Sequence, residues 1–410
     1  MITRNTIDQV YETARVEEVI GDFVVLKKSG TNFKGLSPFS KERTPSFMVS
    51  PVKQIWKDFS SGKGGNVIAF LMEHEHFTYP EAIRFLAKKY NIEIEETEQS
   101  QEEKEKSNTK ESLYLVNKFA QDSFSLDLWE FSEGMAIGLS YLRERGFTDE
   151  TIRFFSLGYA SEKRDHFYNK ATKAGYAENY LEETGLIIKN ERGAVDRFRG
   201  RVIFPIRSMA GRTQGFGGRI LSATAKTAKY LNSPESEVYH KSQVLYGMFE
   251  AKKAIAREDI CYLVEGYTDV IQMYQKGIEN VVSSSGTALS PEQIRLVRRF
   301  TPNIVVLFDG DAAGLRAAIR GIDLILEQGM NVKVCNFPEG EDPDSFAKNH
   351  TQEEIKSYLK ESARDFIQFK TDLLLQDLEN DPVKKANTVR EIVQSISKIP
   401  DAIKQEIYLK

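Results

Sequence analysis

Six carboxylates stand at the ends of three apolar runs in the second half of this 410-residue chain. Glu265 follows CYLV, with Asp269 one helical turn further on. Asp309 and Asp311 follow NIVVLF on either side of Gly310, and Asp342 and Asp344 follow NVKVCNF in the loop PEGEDPDSF. Val/Ile/Leu runs separated by helical stretches are the strands of a parallel sheet covered on both faces. Ligands of such sheets sit outside the carboxyl ends of the strands. Two like charges about 4 Å apart repel by roughly 4 kcal/mol at an effective dielectric near 20, so the cluster calls for cations. Its donors are all hard oxygens, which favours Mg²⁺ (or Mn²⁺) over zinc or copper. A single Asp in a strand-to-helix loop is more often a cap or turn residue. Three sets at successive strand ends are not explained that way. The chemistry that suits such a site is metal-assisted phosphoryl transfer.

A second concentration lies just upstream. Between Arg197 and Tyr230 there are eight basic residues and no acidic one. Arg is suited to bidentate phosphate contacts, and the glycines of GFGGR permit close backbone approach to a polyanion. Alternation in RFRGRVIF would also place arginines on the solvated face of a strand. With 56 Lys+Arg against 60 Asp+Glu, the chain as a whole is no basic coat, so nucleic-acid binding would have to be local.

The elements that position these residues are readable in outline. Two cysteines, Cys261 and Cys335, exclude a disulfide scaffold and a four-thiolate zinc site. No apolar run approaches a membrane span and the start is no secretory signal, which predicts a cytoplasmic protein. The stretch EETEQSQEEKEKSNTKES, from Glu95 to Ser112, has no apolar residue and reads as a linker or a charged helix extension. It divides a small N-terminal domain, 1–94, from a larger region with a mixed α+β part (113–255), a strand–helix part (256–350) and a helical tail (351–410). The fold class is multi-domain α/β. Gly146 stops one helix and Thr148 caps the next; Ser290, Pro291 and Gln293 form a capping box; Gly277 and Gly329 close helices.

EGYTDV, FDGDAAG and EDPDS, in this order and spacing, resemble the topoisomerase–primase (Toprim) catalytic fold, and the chain from about residue 5 onward is similar to bacterial DNA primase. The resemblance implies a DNA-dependent RNA polymerase making short primers on single-stranded DNA from ribonucleoside triphosphates. It implies Glu265, Asp309 and Asp311 as the central acids, with Asp269, Asp342 and Asp344 holding or approaching the metals. DRFRGRVIFPI, GFGGR, KYLNSPE and VYHKSQVLYG match the template and nucleotide groove, so Arg199, Arg201, Lys229, Tyr230 and Lys241 are the binding candidates. Lys229 and Lys241 would contact phosphates, and Tyr230 would stack on a base or position the loop.

SPFSKERTPSFMVSP and FSSGKGGNVIAFLM match the frame of the primase zinc ribbon, whose three Cys and one His fall here on Ser37, Ser40, Asp58 and Ser61. Three hydroxyls and a carboxylate cannot act as a thiolate set, which predicts a zinc-free domain stabilised by Phe39, Phe47, Trp56, Phe59 and Phe70 instead. His74 and His76, without suitable partners, read as surface histidines. The resemblance further implies the replicative helicase as partner through a C-terminal domain absent from this chain, with single-stranded DNA-binding protein another. The final AIKQEIYLK stops inside a helical pattern, which reads as a piece of a longer protein. Competing readings are a Toprim nuclease or topoisomerase, a DxD phosphohydrolase with Asp309 as nucleophile, and a non-catalytic single-strand binder. Retention of every acidic position weighs against the last.

Overall fold

Helix-spaced Val10, Val16, Val19 and Ile20 and strand-alternating Phe47, Val49 and Trp56 are all buried, because each lies on the apolar side of its own period. In the computed structural model, which describes residues 2–95, 101–191, 193–221, 228–286, 289–308, 321–376 and 382–409, the chain forms two compact units, Met1–Lys106 and Ser107–Lys410.

The first unit carries a five-stranded antiparallel sheet in chain order: Lys27–Ser29, Asn32–Gly35, Phe47–Ser50, Ile55–Asp58 and Gly64–Gly65. Its inner face packs on the helices Val67–His74 and Tyr79–Lys89, the second opened by a Thr78/Glu81 capping box with Pro80 in its first turn. Phe47, Trp56 and Phe70 fill this core, and Phe39 lies half-buried against it. Phe59 does not. It is 69% exposed, because the strand before it alternates out and in, and one more residue turns outward. His74 also departs from the surface reading: its ring stacks on Phe70 with 5.0 Å between centroids.

The charged run is helical from Gln101 onward, as the start of the helix Gln101–Glu130, and the second unit begins within it at Ser107. A four-stranded antiparallel sheet follows, in the order Tyr230–Asn232, Thr213–Ile220, Arg201–Arg207, Gly158–Ala160. The other main sheet has five strands, ordered Val281–Ser283, Cys261–Val264, Asn303–Phe308, Asn331–Asn336, Arg364–Asp365. The first four are parallel. Ile304, Val306 and Phe308 enter one hydrophobic core while Val305 and Leu307 enter another, which is why that strand is apolar without alternation. The capping signals act as read: Ser290 Oγ accepts the Gln293 N–H at 3.1 Å, and Thr148 Oγ1 that of Thr151 at 3.2 Å.

The fifth strand was not visible in the helical pattern beyond residue 350. Only two residues long, it runs antiparallel, pairing Arg364 with Val334 and Asp365 with Lys333. At the opposite rim, Ser283 and Tyr246 exchange N–H···O bonds of 2.9 and 3.0 Å.

Candidate active site

The strand Cys261–Val264 ends at Glu265, and the helix Tyr267–Gln275 starts two residues later. Two contacts fix this corner. Ser283 Oγ, on the neighbouring strand, donates to the Glu265 carbonyl at 2.6 Å, and the Gly266 N–H donates to Asp269 Oδ2 at 2.8 Å. Tyr267 anchors the helix from below: its ring stacks on Phe204 at 5.0 Å and its hydroxyl donates to Asn232 Oδ1 at 2.6 Å.

Glu265, Asp269 and Asp342 line one cavity of about 390 Å³, together with Arg145, Arg219, Lys229, Tyr230, Ser285 and Gly286. Carboxylates and cations thus face the same space. Asp342 caps the helix Pro343–Asn349 through the Ser345 N–H, at 2.7 Å. Asp344 takes another path. It is buried and ion-paired with Arg145, and burial pushes its carboxyl above the ordinary range, an effect that Arg145 offsets only in part. Asp309 and Asp311 lie outside the described residues. The strand Asn303–Phe308, which ends just before them, is hydrogen-bonded to the strand that leads to Glu265. Among the described residues no three metal-ligating side chains form a closed set. The donors on this cavity are nevertheless hard oxygens, which fit a divalent cation and not a soft one.

The binding candidates divide. Lys229 and Tyr230 face the cavity. Arg199 is exposed and Lys241 half-buried, neither on the cavity wall. Arg201 requires correction as a direct contact. It is 4% exposed, and its guanidinium donates to the carbonyls of Gly218 (3.1 Å), Ala228 (3.1 Å) and Lys229 (3.3 Å). It holds the strand and loop that carry Lys229 rather than touching a ligand. Arg201→Met leaves those carbonyls without their charged donor, and a loss of about 3 kcal/mol is expected, read as a lowered thermal midpoint.

The glycines of GFGGR also serve the protein itself. A Cβ on Gly217 would fall 2.4 Å from Cζ of Tyr267, and one on Gly218 would fall 2.7 Å from the Phe198 ring. Their space is filled by aromatic side chains, leaving none for a polyanion.

Two cations escaped the sequence reading. Arg219 donates to Tyr230 Oη at 3.0 Å and lies over the rings of Tyr230 and Tyr141, 5.5 and 5.2 Å from their centroids. Arg219 stood within the basic run, which gave no reason to single it out. Arg145 lies 120 residues before Glu265 in SYLRERGF, where nothing but its neighbouring helix stop marks it.

Of the N-terminal positions, Ser37, Ser40, Asp58 and Ser61 do come together, joined by hydrogen bonds around the Asp58 carboxylate.

Comparison with known proteins places these features in a family. Residues 2–102 match a CHC2 zinc finger model, 127–252 the N-terminal domain of the DNA primase catalytic core, and 262–347 a Toprim-like model. A DNA primase of Halalkalibacterium halodurans is 37% identical over 413 residues, covering 100% of this chain and 68% of that protein. The crystal structure of the Aquifex aeolicus primase (zinc binding and RNA polymerase domains) is similar with a TM-score of 0.65 at 32% identity, covering 98% of this chain and 94% of that one. A DnaG primase catalytic domain bound to ssDNA is similar over 74% of this chain and 97% of that one, at 30% identity and a TM-score of 0.65. The Toprim-like match carries with it the use of a divalent metal. No described helix is long and apolar enough to cross a membrane. A 390 Å³ cavity lined by carboxylates and cations together therefore sits in a chain that belongs to the DnaG-type bacterial DNA primases, enzymes of the RNA-polymerase type.

Proposed function

We propose that this cavity is the nucleotidyl-transfer centre, where the 3′-hydroxyl of a growing RNA primer attacks a ribonucleoside triphosphate paired to single-stranded DNA. One observation carries the reading: the Glu265 carboxylate and the Lys229 ammonium line the same cavity, and neither makes an ion pair or side-chain hydrogen bond among the described residues. Both side chains are exposed and not spent on each other or on a protein partner among the described residues, so a ligand that carries both signs can engage them together. A nucleoside triphosphate with its divalent cation is such a ligand.

In this reading Glu265 and Asp269, with Asp342 and the sequence candidates Asp309 and Asp311, would hold Mg²⁺ (or Mn²⁺). When bound, the cation supplies charge neutralisation on the triphosphate and acidifies the attacking hydroxyl. The chain's own residues do the rest by position. Lys229 meets the phosphates as pyrophosphate leaves. Arg219 keeps Tyr230 on the cavity wall, where its ring can stack on a base. Arg145 neutralises Asp344 and so limits the negative charge around the metal. Asp344 becomes a ligand only if that pair opens. Arg199 and Lys241, off the wall, would track the template backbone. The parts 113–255, 256–350 and 351–410 would act as one polymerase, and the 1–106 unit would engage the template without zinc.

The test is primer synthesis on single-stranded DNA with labelled ribonucleotides and Mg²⁺. Alkali-labile product beginning with a 5′-triphosphate supports the reading; nicking of the template without primer would replace it with a nuclease. Lys229→Ala is expected to raise KM for the ribonucleotide about tenfold, the scale of one lost charge-assisted phosphate contact, with unchanged melting.

A further inference from the structure

The family match to a CHC2 zinc finger meets four positions that do not fit zinc: Ser37, Ser40, Asp58 and Ser61. A structural zinc site is built from thiolates and imidazoles, and neutral hydroxyls do not replace them. We propose that the Asp58 carboxylate occupies the role of the metal itself, as the charged centre around which two facing turns are tied. The inference deepens the zinc-free reading of the N-terminal unit and rests on it. It is independent of the catalytic proposal.

The two turns are built alike. In the first, Ser37 Oγ accepts the N–H groups of Phe39 and Ser40, each at 3.0 Å. In the second, the Asp58 carboxylate accepts those of Ser60 at 3.4 Å and Ser61 at 3.2 Å. The side chain of residue i thus gathers the amides of i+2 and i+3 on both sides. The turns are then joined by hydroxyl protons. Ser37 Oγ donates to Asp58 Oδ2 at 2.8 Å, Ser61 Oγ donates to the same oxygen, and Ser60 Oγ lies 3.0 Å from Oδ1. Ser40 Oγ sits 2.6 Å from Ser60 Oγ and donates to it when the Ser60 hydroxyl donates to the carboxylate. Ser46 Oγ lies 3.2 Å from Asp58 Oδ1 and also donates to Glu42, whose carboxylate in turn accepts the N–H groups of Ser37 (2.7 Å) and Ser46 (2.9 Å).

Asp58 is 0% exposed and next to Trp56 on the core-facing side of its strand. A buried carboxylate without such donors would take up a proton. Here burial raises its pKa, but the hydrogen bonds of Ser61, Ser37 and Ser60 together outweigh that and hold it below the ordinary carboxylate range. Where a metal gathers anionic ligands, this cluster reverses the polarity: one anion gathers neutral donors. No metal ion is required.

The groups facing Asp58 are few. Glu42 is the neighbouring carboxylate, and the Asp58 charge opposes its ionisation, while the hydrogen bonds from Ser46 and Ser37 favour it. Lys63 is turned to Glu73 at 2.6 Å and His74 to Glu75 at 3.0 Å, while Lys57 donates to the Gly62 carbonyl at 2.6 Å. Because the folded pKa is depressed, the stabilisation is complete above the unfolded value near about 4 and fades as pH falls through the folded one.

The chain has two tryptophans, Trp56 in this unit and Trp129 in the other, so a Trp129→Phe chain reports on the Asp58 region alone. In that background the Trp56 unfolding midpoint is expected to be the same with and without EDTA, and the purified protein to hold no stoichiometric zinc. Asp58→Asn, which keeps the shape and removes the charge, is expected to lower the midpoint by several degrees at pH 7. That difference should close toward acid pH. Ser37→Cys, Ser40→Cys, Asp58→Cys and Ser61→Cys combined should take up one zinc ion and make the midpoint EDTA-sensitive. Bound zinc or an EDTA effect in the native chain would overturn the proposal. So would an Asp58→Asn chain as stable as its parent, or a folded four-cysteine chain that takes up no zinc. None of these measurements reads primer synthesis, so their failure and the failure of the catalytic reading are separable.

Discussion

Glu265→Gln is expected to reduce primer synthesis about 10³-fold at saturating template, nucleotide and Mg²⁺, the scale set by removing one preorganised electrostatic group from a reacting centre. Glutamine has the same length and keeps one oxygen, but it gives up the charge that a hard cation needs. The side chain is exposed and makes no ion pair or side-chain hydrogen bond among the described residues; the backbone carbonyl is engaged by Ser283. Stability should therefore stay within about 0.5 kcal/mol of the parent, the usual range for a surface change. The informative pair of measurements is labelled-ribonucleotide incorporation and a melting curve on the same preparation. Activity within a few-fold of the parent would place the reacting centre elsewhere.

Gly217→Val is expected to cost about 3 kcal/mol and to remove most primer synthesis with it. The glycine lies in an ordinary extended strand, paired with Phe204 and Asn232, so the cost is steric and not conformational. A side chain there would overlap the Tyr267 ring, which is wedged between Phe204 and Tyr246 and hydrogen-bonded to Asn232. Tyr267 begins the helix that carries Asp269 and directly follows the turn that carries Glu265. Displacing it moves both carboxylates. Thermal unfolding gives the first number and primer synthesis well below the melting midpoint gives the second. Normal activity in a fully folded Gly217→Val chain would mean that Tyr267 does not set the carboxylate geometry.

Sequence was most informative where one residue type has one physical use. Ser290, Pro291 and Gln293 make a capping box whatever surrounds them, and NIVVLF, apolar at every position, has to be covered on both sides. Glu265, Asp269 and Asp342 could be brought together by reasoning because strand ends share one edge of a parallel sheet. Reasoning was weaker where the same residue has two uses. Arg201 reads like its neighbours in RFRGRVIF, yet pairing with Ile220 on one side and Ala160 on the other buries it inside a sheet, among carbonyl partners. The glycines of GFGGR make room, and composition does not say for what. Arg145 reaches the site from a distant helix, and its pairing with Asp344 is a tertiary fact without a local pattern. Phe59 was misread because aromatic content was weighed before strand phase.

The two rims of the Toprim-like sheet have a consequence for how this enzyme tolerates company. A parallel sheet with open backbone along its borders can be extended by a stranger's chain. Here the two-residue strand Arg364–Asp365 closes one border, and the paired backbone of Tyr246 and Ser283 begins to close the other. Crowding many copies together should therefore produce little cross-β association through this sheet, even though its strands are among the most aggregation-prone stretches of the sequence.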